Sequence, residues 1–152
     1  MATVMGDEID VLAKAKRAIA GDYVPSEGED YMNETQLDYY RRLLNAWKQS
    51  ILSASAGTLQ SLQDGPIREP DLNDRASSET DWGIELRTRD RQRKLISKID
   101  SALRRIEDGE YGWCEVTGEP IGLGRLSARP IATMTVEAQE AHERREKISR
   151  DD

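Results

Sequence analysis

Leu37, Tyr40, Leu44, Trp47, Ile51, Ala54 and Thr58 recur at alternating gaps of three and four residues, the a/d seam of a coiled coil. A helix with such a seam carries one apolar stripe and must bury it against another helix. Asn33 precedes the run as a good N-cap, and Gln36 follows three residues later as in a capping box. Asp64-Gly65-Pro66 ends the pattern, because proline has no amide proton to give and clashes with the turn before it. The helix so predicted has about thirty residues and a length of roughly 45 Å.

Ile67 to Ala76 is turn chemistry, with Pro66 and Pro70 four residues apart, Asn73 and two aspartates. A second helix is predicted from Ser77 or Ser78, with Glu79 and Glu85 near its positive end. Its seam is Ile96, Ile99, Leu103 and Ile106, and Glu107-Asp108-Gly109 closes it. A loop of about ten residues is too short for a parallel return. The two helices are therefore expected to run antiparallel, with the turn at 67–76 as an acidic tip.

The flanking segments differ in kind. Ile9, Leu12, Ala13, Lys16 and Ile19 give a short amphipathic helix ended by Gly21-Asp22, and Tyr23 to Asp30 reads as a linker. Tyr111 to Met134 has four glycines and two prolines and is expected to form a small knot with a turn or hairpin. Val136 to Arg150 is predicted as a last, highly charged helix. The expected division is 1–32 (helix and linker), 33–110 (hairpin), 111–134 (knot) and 135–152 (C-terminal helix), in an all-α-dominated chain.

Composition supports exposed helices. The chain is 37% hydrophobic and 34% charged, too polar for a compact globule but suited to helices that bury one stripe each. A net charge of -7 disfavours wrapping nucleic acid, which needs clustered cations, and suits a basic cleft on another protein. No direct DNA binding is expected. No apolar run is long enough to span a membrane, the first residues lack the regions of a signal peptide, and Cys114 is the single cysteine. A cytoplasmic protein is expected.

Asp71 and Asp74 at the tip have two readings. In an isolated turn they are solvated turn or capping residues. On a long hairpin they acquire reach into a partner, where carboxylates pair with cations or approach a metal held by that partner. A catalytic role for Cys114 needs a histidine, and the single one, His142, stands in a charged helix. Cys114 has no set of Cys and His partners from which to build a zinc site, and a buried structural role is favoured. Gly122-Leu123-Gly124 lacks the strand–turn–helix frame of a dinucleotide fingerprint and reads as turn geometry. The basic run from Arg87 to Lys98 is a solvated helix face or, with Arg129, part of an anion pocket.

Three segments together resemble the DksA/TraR family: Asp71-Leu72-Asn73-Asp74-Arg75-Ala76, the run Glu85 to Ile96, and Ile121 to Pro130. The likeness extends from about Asn33 to the C-terminus. It implies a long antiparallel coiled-coil hairpin, a small zinc-finger-like globular knot and a C-terminal helix. It also implies a monomer that enters the secondary channel of RNA polymerase and, with ppGpp, alters promoter-complex stability and transcription initiation in the stringent response. Asp71, Asp74 and Ala76 would be the tip residues. Arg91, Leu95, Lys98 and Arg129 would line a ppGpp site formed with polymerase. Two departures stand out. Of the four cysteines of the family's zinc knot Cys114 remains, with Thr117, Thr135 and Ala138 in the other places. That resembles the cysteine-poor, zinc-independent branch, whose knot would be packed here by Trp113, Val116, Ile121, Leu123 and Met134. The family's basic residue in the last helix is Gln139 here.

The expected function is regulatory, not enzymatic, with no cofactor bound by the chain alone. The alternative is a helical adaptor whose coiled coil pairs with a partner helix. The adaptor depends on seam residues such as Leu44 and Ile99, the regulator on the tip.

Overall fold

The computed structural model describes residues 4–64 and 72–151, and the side chains of 10–56 and 79–150. Among the described residues five helices follow one another: α1 (Val4–Ala18), α2 (Glu34–Asp64), α3 (Leu72–Glu107), α4 (Leu123–Ala128) and α5 (Val136–Asp151). The described residues contain no named strand; Trp113 and Pro120 form an isolated antiparallel bridge. No helix among the described residues is long and apolar enough to cross a membrane.

Residues 1–20 with 45–99 make one compact unit, and 21–44 with 100–152 another. The early part of α2 thus shares a unit with the late part of α3, and the late part of α2 with the early part of α3. That is the antiparallel order. The connection of seven residues, 65–71, spans at most about 25 Å, well short of the roughly 46 Å that the 31-residue α2 covers.

In the first unit the buried apolar residues are Leu12 and Ala15 of α1, Trp47 and Ile51 of α2, and Leu95 and Ile99 of α3. The Ser55 hydroxyl donates to Gln92 Oε1 across the helix pair at 3.0 Å. The expected seam therefore holds at Tyr40, Leu44, Trp47 and Ile51 but drifts beyond it. Leu43 is buried, Leu37 is half-buried, Ala54 is exposed and Ser55 turns inward instead. A strict heptad assumes 3.5 residues per turn, and a straight helix of 3.6 leaves that register after a few turns. On α3, Ile99 and Ile106 are buried as expected, while Ile96 and Leu103 are half-buried and Leu95 and Ala102 take the inner positions. The side chains of Ile9 and Thr58 lie outside the described residues.

The start of α3 needs a correction. The helix begins at Leu72, not at Ser77 or Ser78. Helix formation is barred at and just before Pro70, but nothing in Leu72-Asn73-Asp74-Arg75-Ala76 opposes it, and an aspartate in the first turn suits the positive end of the dipole. Ser77 and Ser78 lie inside the helix, not at its start. The start of α2 is as expected: Asn33 Oδ1 accepts the Gln36 amide at 2.9 Å, and Gln36 Oε1 accepts the Met32 amide at 2.8 Å.

The stretch expected as a linker is an ordered strap. Tyr23 Oη donates to Glu29 Oε1 at 2.8 Å, the Ser26 amide donates to Glu29 Oε2 at 2.8 Å, and Gln36 Nε2 donates to the Ser26 carbonyl at 3.4 Å. The strap ends on Tyr31, whose hydroxyl donates to the Gly112 carbonyl at 2.6 Å and accepts the Gly122 amide at 2.9 Å. Gly112 has φ +89, and a Cβ there would sit 2.6 Å from Met32 Sδ.

Two stability measurements check this packing. Ile99→Ala, at a fully buried position, is expected to cost about 2–5 kcal/mol in urea unfolding, and Leu103→Ala distinctly less. Gly112→Ala is expected to cost about 1–2 kcal/mol from its left-handed backbone alone; unchanged stability would count against the tight passage beside Met32.

Candidate functional site

The expected site residues fall into three groups. Asp71 lies outside the described residues. Asp74 and Ala76 are in the first turns of α3, and their side chains also lie outside the described residues.

Arg91, Leu95 and Lys98 are spaced at i, i+4 and i+7 on α3 and so share one face. Arg91 Nη2 donates to Thr88 Oγ1 at 3.2 Å. Its Nε is buried with no hydrogen-bond partner among the described residues. Leu95 is buried in the apolar stripe, and Lys98 is exposed. Leu95 thus packs in the stripe, between the two cations in sequence. Arg129 belongs to the second unit. It is exposed at the end of α4, and its amide caps the helix on the Arg125 carbonyl at 2.7 Å. Gln139 Nε2 donates to Glu143 Oε1 on α5 at 3.1 Å.

The knot positions Cys114, Thr117, Thr135 and Ala138 converge. Cys114 is buried and takes hydrogen bonds from the Thr117 hydroxyl and from the amides of Thr135, Thr117 and Val116. Thr135 Oγ1 accepts the Ala138 amide at 3.1 Å, so this threonine caps α5. The donor set does not fit a zinc ion. One thiolate is present, the Thr135 hydroxyl is already occupied as a cap, and alanine offers no ligand atom. Among the described residues no three His, Cys, Asp or Glu side chains stand close enough to hold a metal.

The interior of the knot is filled largely by residues other than those expected. Ile121 and Leu123 are buried as predicted. Val116 is 59% exposed and Trp113 is 37% exposed, its ring resting edge-on against Tyr31. The inner positions go to Tyr40, Tyr111, Leu126 and Ala132. Tyr111 Oη donates to the Pro130 carbonyl at 2.8 Å, and the Tyr40 and Ser127 hydroxyls lie 3.2 Å apart. Burial pushes the Tyr111 phenol well above its ordinary value. Where a turn or hairpin was expected, Trp113 and Pro120 bridge antiparallel around a turn in which the Gly118 amide donates to the Cys114 carbonyl at 2.9 Å. The chain then turns at Gly122 (φ +101) into α4, in which Gly124 is helical.

Arg105 and Arg125 went unread among the many cations. Arg105 Nη2 donates to the Glu110 and Trp113 carbonyls at 3.1 and 2.8 Å, and Arg125 Nε donates to the Met134 carbonyl at 2.8 Å. Their sole sequence signal is a cation near a Gly-rich turn whose carbonyls need donors.

For Cys114, burial raises the thiol pKa, but the hydroxyl and amide donors outweigh it and bring it from an ordinary 9.0 down to about 6. The folded state therefore favours the thiolate. That contribution is full above the unfolded thiol's value and is lost as pH falls through about 6. Thiolate ultraviolet absorbance of the folded chain is expected to titrate near this value and to move upward in Thr117→Val, which removes a donor; an ordinary thiol titration would contradict this geometry.

Comparison with known proteins matches this architecture closely. Residues 36–106 match the model of the DnaK suppressor protein DksA N-terminal domain, and residues 109–144 that of the prokaryotic dksA/traR C4-type zinc finger. The chain is 66% identical over 131 residues to the RNA polymerase-binding transcription factor DksA of Caulobacter vibrioides, covering 86% of this chain and 92% of that one. It is 44% identical over 132 residues to the protein of the same description in Escherichia coli K12, covering 86% and 87%. The solved structure of transcription factor DksA2 from Pseudomonas aeruginosa superposes with a TM-score of 0.70 at 41% identity, over 92% of this chain and 98% of that one. With both helices of the pair, the knot and the last helix all accounted for, this chain belongs to the DksA/TraR family.

Proposed function

We propose that the chain is a transcription factor, not an enzyme, that binds RNA polymerase and modulates transcription initiation. One observation carries this reading: 66% identity, across 86% of the chain, to a protein whose name states polymerase binding. The paired helices α2 and α3 enter the polymerase's secondary channel. They deliver Asp71, Asp74 and Ala76, from the junction between a 31-residue and a 36-residue helix, to the neighbourhood of the catalytic centre. Carboxylates there act on charges that the polymerase supplies. Regulation follows from differential binding, since one promoter-complex state must be stabilised over another.

Arg91 and Lys98, with Leu95 between them in sequence, bind ppGpp together with Arg129 at the interface with polymerase. The support is chemical: guanidinium and ammonium groups suit phosphates, and Arg91 Nε is a buried donor without a partner among the described residues. Gln139 contributes no charge to that site. The hairpin at 33–110 makes the entry, with the knot at 111–134 and the helix at 135–152 following it in the chain. The protein acts as a cytoplasmic monomer, does not bind DNA directly, and folds its knot without zinc.

Two experiments test this. Asp74→Asn is expected to lose most inhibition of a ribosomal RNA promoter in vitro while binding core polymerase at nearly wild-type affinity; unchanged inhibition would remove the role given to the tip. Elemental analysis of purified protein is expected to find no stoichiometric zinc, and chelation to leave the helical melting curve in place; one zinc per chain would overturn the metal-free knot.

A further inference from the structure

Met32 stands apart in the second unit. Among the described residues it is the one non-glycine residue with a positive φ, +57, in the left-handed region that L side chains rarely adopt. Glycine would take that conformation without strain. Contacts on both sides of Met32 keep it there. Its amide donates to Gln36 Oε1 at 2.8 Å, and the next amide, Asn33, donates to the Asp30 carbonyl at 3.3 Å. Its side chain lies over Gly112, whose own φ is +89. A Cβ on Gly112 would meet Met32 Sδ at 2.6 Å, Met32 Cγ at 2.7 Å and Tyr31 Oη at 3.3 Å. The thioether thus fills the space that a side chain at 112 would otherwise take.

That contact covers the hydrogen bonds that tie the strap to the knot. The Gly112 carbonyl accepts the Tyr31 hydroxyl at 2.6 Å and the Ile121 amide at 2.8 Å. The same Tyr31 oxygen accepts the Gly122 amide at 2.9 Å. Three hydrogen bonds therefore converge around the glycine that the thioether covers. Tyr31 and Met32 are both half-buried, so the cluster is packed and still reached by small solutes.

A thioether in this position has a chemistry that aliphatic core side chains lack. Hydrogen peroxide transfers one oxygen to it: the sulfur lone pair forms the S–O bond as the O–O bond breaks, and the rest of the peroxide leaves as water. The sulfur loses two electrons and the peroxide gains them. The product, methionine sulfoxide, is polar where the thioether was apolar. At Met32 the added oxygen must find room beside Gly112, where not even a Cβ could stand. It also competes with the Gly112 carbonyl for the single proton of the Tyr31 hydroxyl. A residue already held in a strained backbone conformation leaves it when the contacts that impose it are lost.

We infer that Met32 is an oxidation-sensitive latch: its thioether is a modification site for peroxides, and its sulfoxide frees the strap from Gly112 and Gly122 of the knot. The reactive atom is the Met32 sulfur, not the Cys114 thiol. The latch does not depend on the polymerase reading. It closes again when a sulfoxide reductase removes the oxygen as water, with two thiols oxidised to a disulfide.

The test uses full-length protein treated with graded hydrogen peroxide. Peptide mass mapping reads oxygen uptake at each of the four methionines and at Cys114. Amide hydrogen exchange reads the two donors, Ile121 and Gly122. Oxidation of Met32 is expected to speed exchange at both amides about tenfold, with the Ile99 amide in the other unit unchanged. The two epimer-specific methionine sulfoxide reductases are expected to restore protection. Met32→Leu keeps an apolar side chain over Gly112 and is expected to hold its protection in peroxide. Met32→Gln places a polar acceptor there and is expected to exchange fast without peroxide; wild type and Met32→Leu decide the matter even if this variant does not fold. The inference is overturned if Met32 stays unoxidised while other methionines take up oxygen, or if oxidised Met32 leaves both amides protected. It is also overturned if Met32→Leu still loses protection in peroxide, which assigns the response to another side chain, Cys114 first.

Discussion

The pairing of two narrow apolar stripes, one on α2 and one on α3, is the constraint on which the rest depends. Tyr40, Leu44, Trp47 and Ile51 face inward on one helix, and Leu95, Ile99, Ala102 and Ile106 on the other. Burying such stripes supplies the main driving force at roughly 1.5–3 kcal/mol per large side chain. Beside its stripe, α3 carries cations on both flanks.

In the knot, the four positions that the family's zinc finger fills with cysteine hold Cys114, Thr117, Thr135 and Ala138. Cysteines around a metal pull four chain positions to one point. Here the same positions are tied by ordinary hydrogen bonding: amides and a hydroxyl donate to Cys114, and Thr135 caps α5. Around them, Tyr111, Tyr40 and Leu126 fill the interior, and Arg105 and Arg125 satisfy carbonyls that turns leave exposed. The strap adds Tyr31, which serves two backbone groups with one hydroxyl. Cohesion here is spread over many weak contacts.

Electrostatics divides the labour in the same way. The chain is acidic overall, yet its one dense cationic run lies along α3. Helical spacing splits that run into Arg91 with Lys98 on one flank and Arg89 with Arg93 on the other. One flank is suited to phosphates, where Arg91 keeps an unsatisfied buried donor. The other borders the aliphatic side chains of Leu52, Ala56 and Ile96.

Local rules were sufficient for much of this. Period, caps and breakers located α2 with its Asn33 cap, the closure of α3 at Gly109 and the extent of α5, because helix termini depend on residues within one turn. The degenerate ligand set was equally legible, since it concerns residue identity alone. Tertiary structure decided the rest. It turned Ser55 inward and left Ala54 outside, because accumulated helical twist depends on the partner helix. It filled the knot with tyrosines from distant segments and left Val116 in water, because those contacts bridge as many as 91 positions in sequence, as between Tyr31 and Gly122. It also made an ordered strap of an apparent linker. Sequence by itself determined that two striped helices must pair and that the chain cannot build a cysteine cage; only the folded chain decided which side chains fill the interior, since burial is a property of neighbours that no local pattern contains.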